Sequence, residues 1–176
     1  MRLLLLVAAA LAFVSPVAAQ PVLPQPGGAA PTTTTTTTAQ PGALIASMTA
    51  DQVAGLLNPT FPSKVTQDDK NSKWVITSFW GDSLYSGVLM NGTCDNNGSC
   101  TILCFFANFG KTPNVDQNWV NSWNENQCCV RAFFYTDQSL IFQYDVALSP
   151  GVTADYITSA AQLFKQAVDQ STNFKP

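Results

Sequence analysis

The sequence predicts an α+β domain: a mainly antiparallel sheet of five to six strands with three helices, in the order α-ββββ-α-ββ-α. Three observations carry this. The runs rich in β-branched and aromatic residues are clustered and joined by short polar turns. Helical spacing of apolar residues appears at the two ends and once between the strand clusters. The stretch Leu84 to Phe109, LYSGVLMNGTCDNNGSCTILCFFANF, reads as one long hairpin that forms the centre of the sheet.

The chain opens with Met1-Arg2, an apolar run from Leu3 to Val14, and the small residues Ser15-Pro16-Val17-Ala18-Ala19. That pattern predicts a secretory signal, residues 1–19, cut after Ala19. The run is too short to span a bilayer, and no cysteine follows it for lipid attachment. Apart from Val22 and Leu23, residues 20–42 are Pro, Gln, Ala, Gly and the unbroken Thr32 to Thr38, without charge. They bury too little surface to offset the entropy of ordering, so a flexible linker is expected. The remainder, 43–176, is the size of one domain with a core of its own.

Within that domain, Thr49-Ala50-Asp51-Gln52 has the form of a capping box, and Val53, Leu56 and Leu57 follow at helical spacing up to Pro59. Lys64 to Thr66 is a weak strand, Trp74 to Trp80 a strong one, and Asp68 to Ser72 the turn between them. In the hairpin, Asn96-Asn97-Gly98 makes a three-residue loop with Gly98 at the positive-φ position. Pro113 to Gln127 is expected to be helical, with Val115, Trp119, Val120 and Trp123 on one face. Val130 to Thr136 and Leu140 to Leu148 are two further strands, and the second places Leu140, Phe142, Tyr144, Val146 and Leu148 on one side. Pro150-Gly151 ends the sheet, and Thr153 caps a last helix with Ile157, Ala160, Ala161, Phe164 and Val168 on its inner face.

Without Arg2 the chain keeps seven basic and eleven acidic residues, a net charge of −4. No basic run occurs, which argues against nucleic acid and against an anionic membrane as partner. Histidine is absent, so Ser-His-Asp and Cys-His nucleophile pairs are excluded, and the commonest zinc ligand is missing. No phosphate-binding glycine loop is present, and neither cofactor nor metal is expected. A hydrolase using paired carboxylates is the alternative to a binding protein. It would draw on the ten Asp and the single Glu125, most of which fall at turns or caps.

The five cysteines follow no paired zinc-knuckle spacing, and export favours disulfides. Cys94 and Cys100 face each other across the hairpin turn, where a bond would contribute roughly 2 to 3 kcal/mol through loop-closure entropy. A second bond from Cys104 to Cys128 or Cys129 is open, and one thiol must remain unpaired within the chain. Both faces of Thr101 to Phe109 are apolar: Leu103, Phe105 and Phe109 point one way, while Ile102, Cys104 and Phe106 point the other. Three helices cover one sheet face well and a second only in part. Trp74, Trp80 and Phe106 are therefore candidate anchors of a binding face for another protein or for a second copy of the chain.

Helix one with TADQVAGLL, the cysteines around a short acidic turn, the run CTILCFFANF, Asn121-Ser122-Trp123-Asn124, and LIFQYDVALSPGVTADYI together resemble the YbjN domain family. The resemblance runs from about Met48 to Phe174. It implies a bacterial, non-enzymatic binding or regulatory module with a fold similar to type III secretion chaperones, and it brings no catalytic residues. With the signal it implies a periplasmic protein. Cys104, Cys128 and Cys129 depart from the family pattern, which does not require them.

Overall fold

The computed structural model describes residues 42–67, 72–79 and 83–171. The expected signal and all of the expected linker before Gly42 lie outside these residues, as do most of the first strand turn and Trp80. The described residues belong to one unit, Thr38–Pro176.

Three helices and six strands follow one another as α1 (Ala50–Leu57), β1 (Ser63–Gln67), β2 (Lys73–Thr77), β3 (Tyr85–Cys94), β4 (Cys100–Lys111), α2 (Gln117–Asn126), β5 (Arg131–Phe134), β6 (Ser139–Ala147) and α3 (Ala154–Ser171). This is the predicted α-ββββ-α-ββ-α order. The strands form one sheet in the order β1-β2-β3-β4-β6-β5, every neighbouring pair antiparallel. The long hairpin supplies the two central strands, and β4, the longest and apolar on both faces, pairs along most of its length with β3 on one side and β6 on the other.

Local chemistry sets the ends. At α1 the Thr49 hydroxyl accepts from Gln52 N, and the Gln52 side chain accepts from Thr49 N at 2.9 Å, the complete capping box. The middle helix begins four residues later than the apolar spacing suggests. Asp116 is its cap, with Oδ1 accepting from Trp119 N at 2.8 Å, and Pro113 belongs to the turn in front of it. The second strand ends at Thr77, short of the predicted Trp80. There the Ser86 hydroxyl donates to Thr77 O and accepts from Phe79 N, and Phe79 turns fully into the core. At the tip of the hairpin, Gly98 has φ 75 and its N–H donates to Asp95 O, as the three-residue loop requires.

The core lies on one side of the sheet. Val53 and Leu57 of α1, Trp123 of α2, and Ile157, Phe164 and Val168 of α3 pack on Val75, Val88, Leu103, Phe105, Phe142 and Val146. Phe164 meets Phe105 and Phe79, and Trp123 stands edge-on to Phe142 at 5.0 Å. All three helices therefore cover the same face.

Candidate functional site

The opposite face is crossed by no described helix, and strand register determines which side chains it carries. One row runs Trp74, Leu89, Cys104, Asp145; the next runs Ile76, Gly87, Phe106, Gln143, Arg131; a third runs Tyr85, Asn108, Ile141, Phe133. Its centre is apolar, and its polar groups lie at both edges, Lys64 and Thr66 on β1 and Gln143, Asp145 and Arg131 on β6 and β5.

Three aromatic rings form the middle of this surface. Phe106 lies 5.7 Å from Trp74 and 5.8 Å from Tyr85, centroid to centroid, and Trp74 and Tyr85 are 6.3 Å apart. Edge-on and tilted pairs of this kind each add about 0.5–1.5 kcal/mol beyond burial, so the rings hold one another in place. Phe106 is only 6% exposed and forms the floor, whereas Tyr85 at 45% and Leu89 at 42% stand outward. The Tyr85 hydroxyl accepts from Asn108 Nδ2 at 2.8 Å, and Asn108 Oδ1 accepts from Gly110 N at 2.7 Å. Buried Asn108 thus has partners at both ends, and Tyr85 is fixed before any ligand arrives.

Toward β6 the surface becomes polar. The Asp145 carboxylate accepts from Arg131 at 3.0 Å and from Gln143 Nε2 at 2.9 Å. Buried Cys104 is the register partner of Asp145, and its pKa is pushed up to about 12 by burial first and by the neighbouring carboxylate second. A thiol so held is protonated at neutral pH and is a poor nucleophile.

Of the candidate anchors, Trp74 and Phe106 are brought together on the helix-free face. Trp80 lies outside the described residues. Tyr85 and Leu89, the most outward large side chains of the patch, escaped the sequence reading. The reason is a bulge. Cys94 pairs with Cys100, but the register shifts between Asn91 and Cys94, so that Leu89 faces Cys104. Carrying the disulfide rung straight down the hairpin would set Leu89 against Phe105 and turn it into the core. The available signal was Asn91-Gly92 inside a strand: Gly92 has φ 79, the left-handed conformation of a bulge.

Cys94 and Cys100 form a disulfide across the base of the turn, with Cα atoms 4.0 Å apart. The second bond left open from Cys104 is not made. Cys104, Cys128 and Cys129 are all free, and Cys104 is buried on the helix-free side of the sheet. The other two thiols lie on the connection between α2 and β5, and α2 packs on the core face through Trp123.

Six of the described carboxylates are engaged locally. Asp95 accepts from Asn97 N and Ser99 N in the hairpin loop, Asp116 caps α2, and Asp137 accepts from Ser139 N, which holds its pKa below the usual carboxylate range. Asp145 pairs with Arg131, Asp169 with Lys165, and Asp51 with Lys73. Among the described residues no three of His, Cys, Asp and Glu gather as a metal site, and no helix is long and apolar enough to cross a membrane.

A family model described as "YbjN: Putative bacterial sensory transduction regulator" matches residues 49–174. Among solved structures the chain is similar to YbjN of E. coli, described as "a putative transcription regulator". There the TM-score is 0.57 and the identity 12%, over 74% of this chain and 94% of that one. It is also similar to the Yersinia pestis type III secretion chaperone SycH in complex with a fragment of YscM2. The TM-score is 0.39 and the identity 11%, over 68% of this chain and 94% of that one. No curated protein matches.

Proposed function

The chain belongs to the YbjN family, a regulatory or binding class, and from that premise we propose that it is an exported binding protein whose helix-free sheet face receives a polypeptide partner. One observation carries this reading: Tyr85 and Leu89 stand out from a ring cluster already fixed by Trp74, Phe106 and Asn108. Apolar groups held rigid at a surface bind with little further loss of conformational entropy, which is how aromatic anchors act at interfaces. A standard interface takes about 800 Å² from each partner, an extent that engages strand faces beyond the rings. Polar Arg131, Gln143 and Asp145 on the β5–β6 side would form part of the rim. The partner is another polypeptide or a second copy of the chain. Export rests on residues 1–19, which carry a signal pattern ending at Ala19.

The test compares two substitutions in the full chain, purified natively from the periplasmic fraction of a bacterial host. Leu89→Asp leaves a charge in a surface that must lose water on binding. It should weaken association by about 2 kcal/mol or more, roughly thirtyfold, while leaving the fold intact. Phe105→Asp places the charge in the core and should unfold the domain instead. Light scattering distinguishes a second copy from another polypeptide, and sequencing the released chain should begin at Gln20. A wild-type chain that is monomeric at high concentration and retains no polypeptide, or a Leu89→Asp variant that binds as well as wild type, would contradict the proposal.

A further inference from the structure

The connection between α2 and β5 carries two adjacent thiols, Cys128 and Cys129, which the binding reading does not use. Cys128 is exposed and Cys129 partly so, and neither is in a disulfide. They are consecutive in the chain, so their Cα atoms are one peptide apart. The bend that presents them is clamped on both sides. Before it, Gln127 N donates to Trp123 O at 2.9 Å. Behind it, the buried Trp123 indole N–H donates to Val130 O at 2.9 Å. Asn124 grips the start of β5 with both ends of its amide, donating to Ala132 O at 2.9 Å and accepting from Ala132 N at 2.8 Å. The two thiols are thus held side by side at the surface by a helix that is itself anchored in the core.

We infer that Cys128 and Cys129 form a thiol–disulfide exchange site whose substrate class is an accessible disulfide and whose oxidised form is a bond between the two adjacent residues. The spacing supports reversibility. Consecutive Cα atoms are about 3.8 Å apart across a trans peptide, below the usual disulfide range of about 4.4–6.8 Å, and a bond made outside that range is more easily reduced. Exposed, strained disulfides are the labile ones, in contrast to structural bonds. The other cysteines leave this role to the pair. Cys94 and Cys100 are already bonded, and the Cys104 thiol is buried and held protonated beside Asp145.

Exposure orders the steps. The Cys128 thiolate, having released its proton to solvent, attacks one sulfur of the substrate disulfide. The Cys128–substrate S–S bond forms, the substrate S–S bond breaks, and the first substrate thiolate leaves. Cys129 then gives up its proton to solvent and attacks Cys128 Sγ, which expels the second substrate thiolate. Each departing thiolate takes a proton from solvent. In sum, two protein thiols are oxidised to one disulfide and one substrate disulfide is reduced to two thiols, with no other reactant.

The test uses the full, folded chain with oxidised glutathione as probe, followed by intact mass and unreduced peptide mapping. Wild type should lose two hydrogens and yield one peptide in which Cys128 is bonded to Cys129, while Cys104 stays unmodified until the chain is unfolded. Cys129→Ser removes the resolving thiol and should stop at a glutathione adduct on Cys128. Reduced glutathione should reopen the adjacent bond before that between Cys94 and Cys100. The substitution alters a surface bend, and circular dichroism checks that the variant folds. Wild type that accumulates stable glutathione adducts without closing the bond, or that leaves both thiols unreacted, would overturn the inference. So would closure no easier to reduce than the hairpin disulfide.

Discussion

Cys104 and Asp145 stand opposite each other on β4 and β6, and the burial of the Cys104 thiol there makes the pH dependence of the fold specific at one residue. The thiol has an ordinary value of 9.0 and is pushed up to about 12 in the folded chain, chiefly by burial. Below pH 9.0 folded and unfolded chains both hold the proton, so Cys104 adds no pH dependence there. Between pH 9.0 and about 12 the unfolded chain releases the proton while the folded chain keeps it, so stability falls as pH rises. Cys104→Ala begins lower because a buried side chain is truncated, yet it should lack this alkaline slope. Urea unfolding of both chains on either side of pH 9.0 measures the difference; parallel curves would contradict the assignment. Much was legible at this scale. Cys94 and Cys100 lie at the two shoulders of a loop whose Asn-Gly ending sets its geometry, and the alternation of Thr101 to Phe109 sorts Cys104 and Phe106 to one side. Tyr85 and Leu89 were not legible, because their facing depends on a bulge several residues away and not on their own identity.

That bulge acts on the whole β3–β4 hairpin. One residue of slip reverses the facing of every side chain on a strand, so the register shift at Asn91/Cys94 is what presents Tyr85 and Leu89 to the open side and Val88 to the core. Gly92 makes the slip possible. Its φ is 79, and a Cβ there would lie 2.7 Å from Thr101 Oγ1 and 2.8 Å from Ile102 Cγ1. Gly92→Ala should therefore lower stability by about 1–3 kcal/mol through left-handed strain and crowding. Thermal unfolding measures the cost, and no loss would mean that the bulge does not depend on glycine. The other elements divide along the same physical line. The capping box of α1 and the inner face of α3 follow from side-chain spacing alone and match the reading. The early end of β2 depends on Ser86 from a different strand, and the late start of α2 on whether Asp116 or an earlier residue closes the helix end, choices that apolar periodicity does not encode.

For the molecule as a whole, the order of elements was legible because each strand and helix carries its own periodicity, and short turns leave few ways to join them. The side of the sheet that the helices leave open was harder to read, since β4 is apolar on both faces and only the register distributes the neighbours between core and surface. The central claim is that this open side is the working surface. It is tested most directly by site-specific photo-crosslinking in the full chain, with a photoreactive side chain in place of Leu89 on the open face or of Gln162 on the exposed side of α3. The account predicts a discrete crosslinked polypeptide from position 89, whether another protein or a second copy, and none from position 162. Equal crosslinking from both positions, or a discrete product from position 162 alone, would contradict it.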